Sequence, residues 1–423
     1  MRGATNVRTV VALFMLALCL GAGLIGGCST LPSLENRRTS TALFDTGDTR
    51  LGRAISPMVD AHPGVSGIYP LPDARDAFAA RALLAQSAER TLDVQYYIWH
   101  DFGATDGVVF VDLDVMAVGP VVAEVSKQFD RYWASGSSYP VERLLPAVNP
   151  AAIAEITSSA LRIERDPAAV AYMNALRNLD FVHEMDQGSL VLDWSATRMI
   201  SDDPGKGLGL AAPETLLFPK LREIIGESAA EVYMESPYLV PTAAEFDEFA
   251  AIVDRGVKIK VLTNSLQSTD VPIVHAGYAK RRKPLLEAGV ALYELRRLSP
   301  DTAPRTGAGP LGSSGSSLHA KAFSVDNSRV FIGSFNFDPR SSTLNTEMGF
   351  VIDSPALANR MEVALSRRFL ASAYEVRLSD VGKLYWIERR DAEWVRHDTE
   401  PGTSFWRRLE IWLMSMLPIE WLL

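Results

Sequence analysis

The stretch Leu318-His319-Ala320-Lys321-Ala322-Phe323-Ser324-Val325-Asp326, with Gly333-Ser334-Phe335-Asn336 close behind, decides how this chain is read. Side chains alternate across a strand, so His319 and Lys321 point the same way and set an imidazole beside an ammonium. Imidazole is a nucleophile and proton carrier near neutral pH, and an ammonium holds a phosphate oxygen. Asp326 comes a turn later, in Val325-Asp326-Asn327-Ser328, and is expected to return to brace the cationic groups. The chain offers this cluster no partner.

Just upstream, Thr306 to Ser317 is a Gly/Ser/Pro loop, read equally as a plain connection or as an entrance for substrate. Further back, helix and strand patterns alternate. Residues 73–90, 219–230, 244–255 and 279–288 predict helices, and 91–99, 231–240, 257–262 and 291–295 predict strands. That alternation implies an α/β fold with a mainly parallel sheet and helices on both faces. The strand at 257–262 ends in Thr263-Asn264-Ser265, at the carboxyl edge where open α/β sheets take ligands.

Hydrophobic residues at 47% and charged residues at 22% describe a globular protein. A net charge of −9 argues against a nucleic-acid partner while leaving room for a local basic pocket. The two cysteines, Cys19 and Cys28, lie near the start and the six histidines are scattered. No metal-ligand spacing appears, so neither metal nor other cofactor is expected. Arg2 and Arg8 precede an apolar run, Val10 to Ile25, which ends in Gly26-Gly27-Cys28. This is the pattern of a secretory signal; an uncleaved membrane helix is the other reading, although the run is short and Gly-rich for a span. Both put the body at a membrane.

The Trp/Leu-rich end, Phe405 to Leu423, is expected to pack on the core, with a membrane interface as the alternative. The run Lys280-Arg281-Arg282-Lys283 reads as a solvated helix face, the alternative being contact with anionic headgroups. His62, His183 and His397 are expected to be structural, and Tyr96, Tyr97 and Trp99 to lie in the core.

The full spacing His319-x-Lys321-x4-Asp326-x6-Gly333-x2-Asn336 continues through Phe337-Asp338-Pro339-Arg340-Ser341 and Asn345-Thr346-Glu347, and it resembles the motif of the phospholipase D superfamily. Ser236-Pro237-Tyr238, Thr263-Asn264-Ser265, His275-Ala-Gly-Tyr278-Ala-Lys280, Asp112 to Gly119 and Phe129 to Trp133 resemble its bacterial cardiolipin synthase branch. Ile25-Gly26-Gly27-Cys28 resembles a lipobox, which implies lipid attachment at Cys28 in a bacterial envelope protein facing the periplasm.

Family members of this size carry two motifs on two pseudo-repeated α/β halves. Here Tyr96 to His100, which resembles sequence well before the first motif, abuts Phe102 to Phe110, which resembles sequence just after it. The simplest reading is an internal deletion near 101–102, removing on the order of 100 residues, about a small domain's worth. The expected organisation is a signal peptide at 1–27, a polar tether at 28–60, a remnant first half at 61–205 and an intact second half at 206–423. The remnant is expected to pack poorly or against the second half.

The resemblance implies phosphatidyl transfer or phosphodiester hydrolysis on an anionic glycerophospholipid through a phosphohistidine. A superfamily nuclease, or an inactive envelope lipoprotein that binds phospholipid or a relative, are the alternatives. It implies His319 as a catalytic histidine, Lys321 and Asn336 as phosphate-holding groups and Asp326 as an orienting group. Ser334 and Glu347 are further candidates, Glu347 as a brace for His319. His275 is placed either at the pocket mouth or as a satisfied structural histidine. One motif supplies one histidine, so a homodimer sharing its two motifs is the implied way to complete a site.

Overall fold

The computed structural model describes residues 31–96, 110–297 (without 148, 164, 168–169, 171–172, 175–176 and 188), 317–390 and 393–417. Cys28 and the segment before it, Tyr97 to His100, the junction at 101–102 and the loop 306–316 lie outside the described residues. Residues 31–38 and 138–156 form a small unit of their own, in which Arg37 donates to the Ser138 carbonyl at 3.0 Å and Arg143 to the Glu35 carbonyl at 2.8 Å. Everything below concerns the other unit, residues 39–137 and 157–417.

Its strands, in chain order, are β1 (Ser66–Leu71), β2 (Phe110–Val111), β3 (Asp114–Val118), β4 (Asp193–Ser201), β5 (Glu231–Glu235), β6 (Lys258–Asn264) and β7 (Ala291–Leu295). There follow β8 (Ser317–Leu318), β9 (Lys321–Val325), β10 (Arg329–Gly333), β11 (Met348–Asp353), β12 (Ala373–Leu378), β13 (Leu384–Arg390) and β14 (Glu393–His397). Twelve of them make one sheet in the order β14-β13-β12-β7-β6-β5-β9-β10-β11-β4-β1-β3. β2 and β8 pair separately.

The sheet is mixed rather than mainly parallel. Only β5-β6 and β6-β7 run parallel within it, where the helices Ala243–Asp254 and Pro272–Glu287 supply the crossovers that parallel neighbours need. The other pairs in this sheet are antiparallel. Short connections join β9-β10, β12-β13 and β13-β14, while β5-β9, β4-β11, β1-β3 and β7-β12 bring together strands distant in sequence. Between β9 and β10, Asp326 and Asn327 both take left-handed backbone (φ 50° and 48°), which residues with short polar side chains tolerate.

Period-two alternation divides the core. Phe323, Val325 and Phe331 face one layer with Val232, Met234 and Val261, covered by the helices Leu217–Gly226, Ala243–Asp254 and Pro272–Glu287. Ala322, Val330 and Ile332 face the other with Leu262 and Ile352, covered by the helix Pro355–Ala371 through Leu357, Met361 and Leu365. β9 sits centrally between β5 and β10, so all five of its residues are buried.

The upstream strands do not build a second sheet. β4 pairs with β11 across Met348↔Ser201 to Asp353↔Ala196, and β1 and β3 continue outward from it. Thr91 to Tyr96, expected as a buried strand, forms none and is exposed. No described strand lies against it. Residues 28–60 are not wholly a tether either, since Arg50–Asp60 is a helix capped by Thr49.

Candidate functional site

The motif is assembled at one edge of the sheet. Asn264, the last residue of β6, holds the segment before His319 with both ends of its amide: Nδ2 donates to the Leu318 carbonyl at 3.0 Å and Oδ1 accepts from the Leu318 N–H at 2.9 Å. Ser268 fixes that amide in turn, donating to Asn264 Oδ1 at 3.2 Å and to the Leu295 carbonyl at 2.9 Å. Thr263, Asn264 and Ser265, expected at a ligand, are buried scaffold instead.

From the opposite side, β2 pairs parallel with β8, and the Val111 carbonyl accepts from both the His319 and Ala320 N–H groups at 2.8 and 3.1 Å. The next residue, Asp112, places Oδ2 2.9 Å from His319 Nδ1. Burial pushes the Asp112 carboxyl up, but its hydrogen bond to His319 and the charges of His319 and Lys321 outweigh this and hold it below the usual range. With Nδ1 engaged by a carboxylate, the ring is oriented and reaction falls to Nε2. The His319 side chain is 45% exposed, so the ring is accessible.

Lys321 is 9% exposed, and its Nζ donates to the His319 carbonyl at 2.6 Å. Burial pushes this ammonium down to about 8, against the pull of Asp112, Glu347, Asp270 and Asp338. Asp270 is presented by the loop after β6 and accepts from the Tyr238 hydroxyl at 3.0 Å. Asp338 caps the short helix Pro339–Thr343 by accepting from the Ser341 N–H at 2.6 Å, and burial pushes its carboxyl up. The Glu347 carboxyl is pushed up by burial too, and it accepts from Ser341 Oγ at 3.3 Å. Glu347 therefore belongs with Ser341 and Lys321, while the brace at His319 Nδ1 is Asp112.

Asn336 is buried, its N–H bonded to Ser341 Oγ at 3.2 Å. Among the described residues, its Oδ1 accepts no hydrogen bond. Ser334 Oγ accepts from the Met348 N–H at 3.1 Å and so ties β10 to β11. Below these, the buried pair Asp202–Lys206 (2.7 Å) fastens the site: Asp202 Oδ2 accepts from the Glu347 N–H at 2.8 Å, and Lys206 donates to the Ser341 carbonyl at 2.6 Å.

Two expected site residues stand elsewhere. Asp326 follows the end of β9 remote from Lys321, roughly 17 Å away at the rise of a strand, so it cannot brace the cationic groups. Its carboxylate instead accepts from the N–H groups of Ala229, Ala230 and Glu231 at 2.8, 2.8 and 2.9 Å, seating the start of β5. His275 is 3% exposed on the helix Pro272–Glu287, with Nε2 3.2 Å from Glu400 and 3.1 Å from Arg282. It is held in an ionic cluster with Glu294, which Arg282 meets at 2.9 Å. His62 stacks on Trp194, and His397 meets Glu388 at 2.9 Å.

Sequence reasoning missed Asp112, Asp270 and Asp338 as neighbours of Lys321, and Asn264 as the clamp on Leu318. Asp112, Asp338 and Asn264 lay only within flanking resemblance and Asp270 outside it, and no spacing rule connects residue 112 to residue 319.

Comparison with known proteins agrees with this picture. The family described as "Cardiolipin synthase, PLD-like domain" matches residues 221–369. Cardiolipin synthase C of Escherichia coli is 35% identical over 472 residues, covering 88% of this chain and all of that protein. Since 88% of 423 residues is about 372, about 100 positions of that alignment face no residue here. An uncharacterized protein of Helicobacter pylori is 28% identical over 71% of this chain and 58% of its own length. Among solved structures, the phospholipase D family member Nuc from Salmonella typhimurium covers 43% of this chain and 97% of its own, at 20% identity and a TM-score of 0.31. The chain belongs to the phospholipase D superfamily, in its cardiolipin synthase-like branch.

Proposed function

We propose that the chain is a phosphodiesterase and phosphatidyltransferase acting on anionic glycerophospholipids through a phosphohistidine at His319. The observation that carries this reading is the Asp112–His319 hydrogen bond, which orients an accessible imidazole beside a buried ammonium. Nε2 attacks phosphorus, the P–O bond to the leaving alcohol breaks, and that alkoxide takes a proton. A second alcohol then attacks phosphorus, giving its proton to the group that protonated the leaving alcohol. The P–N bond breaks with its electron pair returning to Nε2, for transfer; water does the same for hydrolysis. Lys321 and the amide of Asn336 hold the phosphate oxygens. A buried amide oxygen without a partner is costly, and rotation of that amide would offer Nδ2 to a phosphate oxygen instead.

The leaving alkoxide needs an acid that one motif does not contain. A second copy of the chain, facing the first across a twofold axis, would supply His319 again. In the same reading the segment 1–27 is a lipoprotein signal and Cys28 carries the lipid that anchors the body to the envelope, facing the periplasm. Among the described residues, no helix is long and apolar enough to cross a membrane.

A second reading, an inactive lipoprotein that binds phospholipid or a relative, is favoured by the four carboxylates around Lys321, which repel a phosphodiester where ionised. Turnover of phosphatidylglycerol separates the two. We expect wild-type turnover to vanish in His319→Ala, and mixing the two proteins to lower the wild-type rate as mixed dimers form. Equal background rates in both proteins would leave the inactive reading standing, and a His319-dependent monomer would overturn the shared site.

A further inference from the structure

The C-terminal helix Phe405–Ser415 buries one residue, Ile411, which packs with Leu266 and Ala276, joined by the half-buried Met414. Around the helix, Ile411 and Met414 fall on one side. Phe405, Trp406, Trp412, Leu413 and Met416 fall on the other, and all are exposed, Trp406 at 73% and Trp412 at 54%. The helix packs on the core along that first side only, so the core packing expected from sequence holds for Ile411 and Met414 and not for the other side. It presents a continuous aromatic and aliphatic stripe to the surroundings, of a kind that soluble monomers seldom leave open.

Two further observations say what covers it. Ala276, against which Ile411 sits, shares a face of its helix with Lys280 and Lys283, four and seven residues on; both lysines are exposed, Lys283 with its ammonium 3.6 Å from the equally exposed Glu287. Cationic side chains beside a Trp-rich stripe match a surface of anionic headgroups over hydrocarbon, the boundary where Trp is favoured. The mounting also leads to the reactive edge. Leu266 lies two residues beyond Asn264, the clamp on Leu318, and Glu400, just before the helix, bonds His275 at 3.2 Å.

The geometry points to the Phe405–Ser415 helix as a membrane-docking element that lies in the surface of an anionic phospholipid bilayer and brings the His319 edge to it. This rests on the proposed phospholipid substrate, and its test is independent of turnover. The full chain carrying Cys19→Ser, Cys28→Ser and Leu413→Cys takes one spin label on the stripe. A Val191→Cys chain on the same background labels an exposed control site by β4. With phosphatidylglycerol vesicles, we expect the label at 413 to gain collisions with oxygen and lose them with a water-soluble nickel chelate, while the control stays in water.

Trp406→Asp with Trp412→Asp should weaken vesicle binding by about tenfold or more, the factor that ~1.4 kcal/mol of lost transfer energy represents. Lys280→Glu with Lys283→Glu should weaken it for phosphatidylglycerol and not for phosphatidylcholine. A label at 413 that stays in water with vesicles present, or one that shows spin–spin broadening without them because a second copy covers the stripe, overturns the proposal. Burial at 413 in a chain with no turnover would overturn the enzyme reading alone.

Discussion

Asp112 and His319 lie 207 residues apart in the chain, and their side chains meet at 2.9 Å. The contact is made from the short strand pair β2-β8, so the group that orients the His319 imidazole comes from far upstream rather than from the motif. Asp112→Asn should cut phosphatidylglycerol turnover by about 10²- to 10⁴-fold, the range a positioned acid–base partner contributes. Imidazole ¹⁵N spectra should show the tautomer at His319 change. An unaltered rate would remove Asp112 from the machinery. Because its folded pKa is depressed, the stability Asp112 contributes is present above the ordinary aspartate range and is lost as pH falls through the folded value.

In the proposed function Lys321 holds a phosphate oxygen, and its burial opposes the charge that role needs. Its folded pKa of about 8 lies below the ordinary 10.5, so the unfolded chain binds more protons between those values and stability rises with pH across that window. Lys321→Met should raise the melting temperature and abolish turnover, as calorimetry and assay on one preparation would register. In the wild type, KM should climb above about pH 8 as the ammonium discharges. A flat KM to pH 10 contradicts a phosphate-holding role.

Asp326→Asn should cost about 1–3 kcal/mol, since the carboxylate satisfies three backbone N–H groups at the start of β5. Urea titration measures that loss. The folded fraction should turn over at the wild-type rate, and a large fall in its specific activity would return Asp326 to the reaction.

His275 and Glu400 should behave as a structural pair. Burial pushes Glu400 up, but the charge of Arg282 and the contact with His275 outweigh this and hold it far below the usual carboxylate range. Glu400→Gln removes one partner of a buried ion pair and should cost about 3 kcal/mol. His275→Gln should lower the melting temperature with KM for phospholipid unchanged. A raised KM at an unchanged melting temperature would put His275 at the substrate.

Several elements were legible from local pattern. The strand over 291–295 and the helices over 73–90 and 244–255 follow from apolar spacing and from caps such as Thr242 with Glu245. The helix ending at Glu287 begins at Pro272, seven residues before its apolar pattern was recognised, because His275 and Tyr278 face an ionic cluster. Alternation of helix and strand predicts the parallel run β5-β6-β7 and says nothing of the antiparallel strands around it. Of these, β9 and β10 are joined by a short turn, and β10 and β11 by a segment holding the helix Pro339–Thr343. Gly333 explains itself only in three dimensions. It faces Gly349 across β10-β11, and a Cβ there would stand 2.6 Å from the Phe331 ring lying over both. The expected role of Asp326 failed because its side chain answers to backbone at Ala229 to Glu231, about a hundred residues away in sequence.

The pairing of Phe110–Val111 with Ser317–Leu318 also orders events in time. A growing chain presents β2 long before β8 exists, and closing a loop of 207 residues costs ~5 kcal/mol of chain entropy before the short pair contributes anything. The large sheet must therefore be built first and carry His319 to Asp112. The oriented imidazole is a property of the finished molecule, and a fragment ending before residue 317 would hold the carboxylate with nothing to orient.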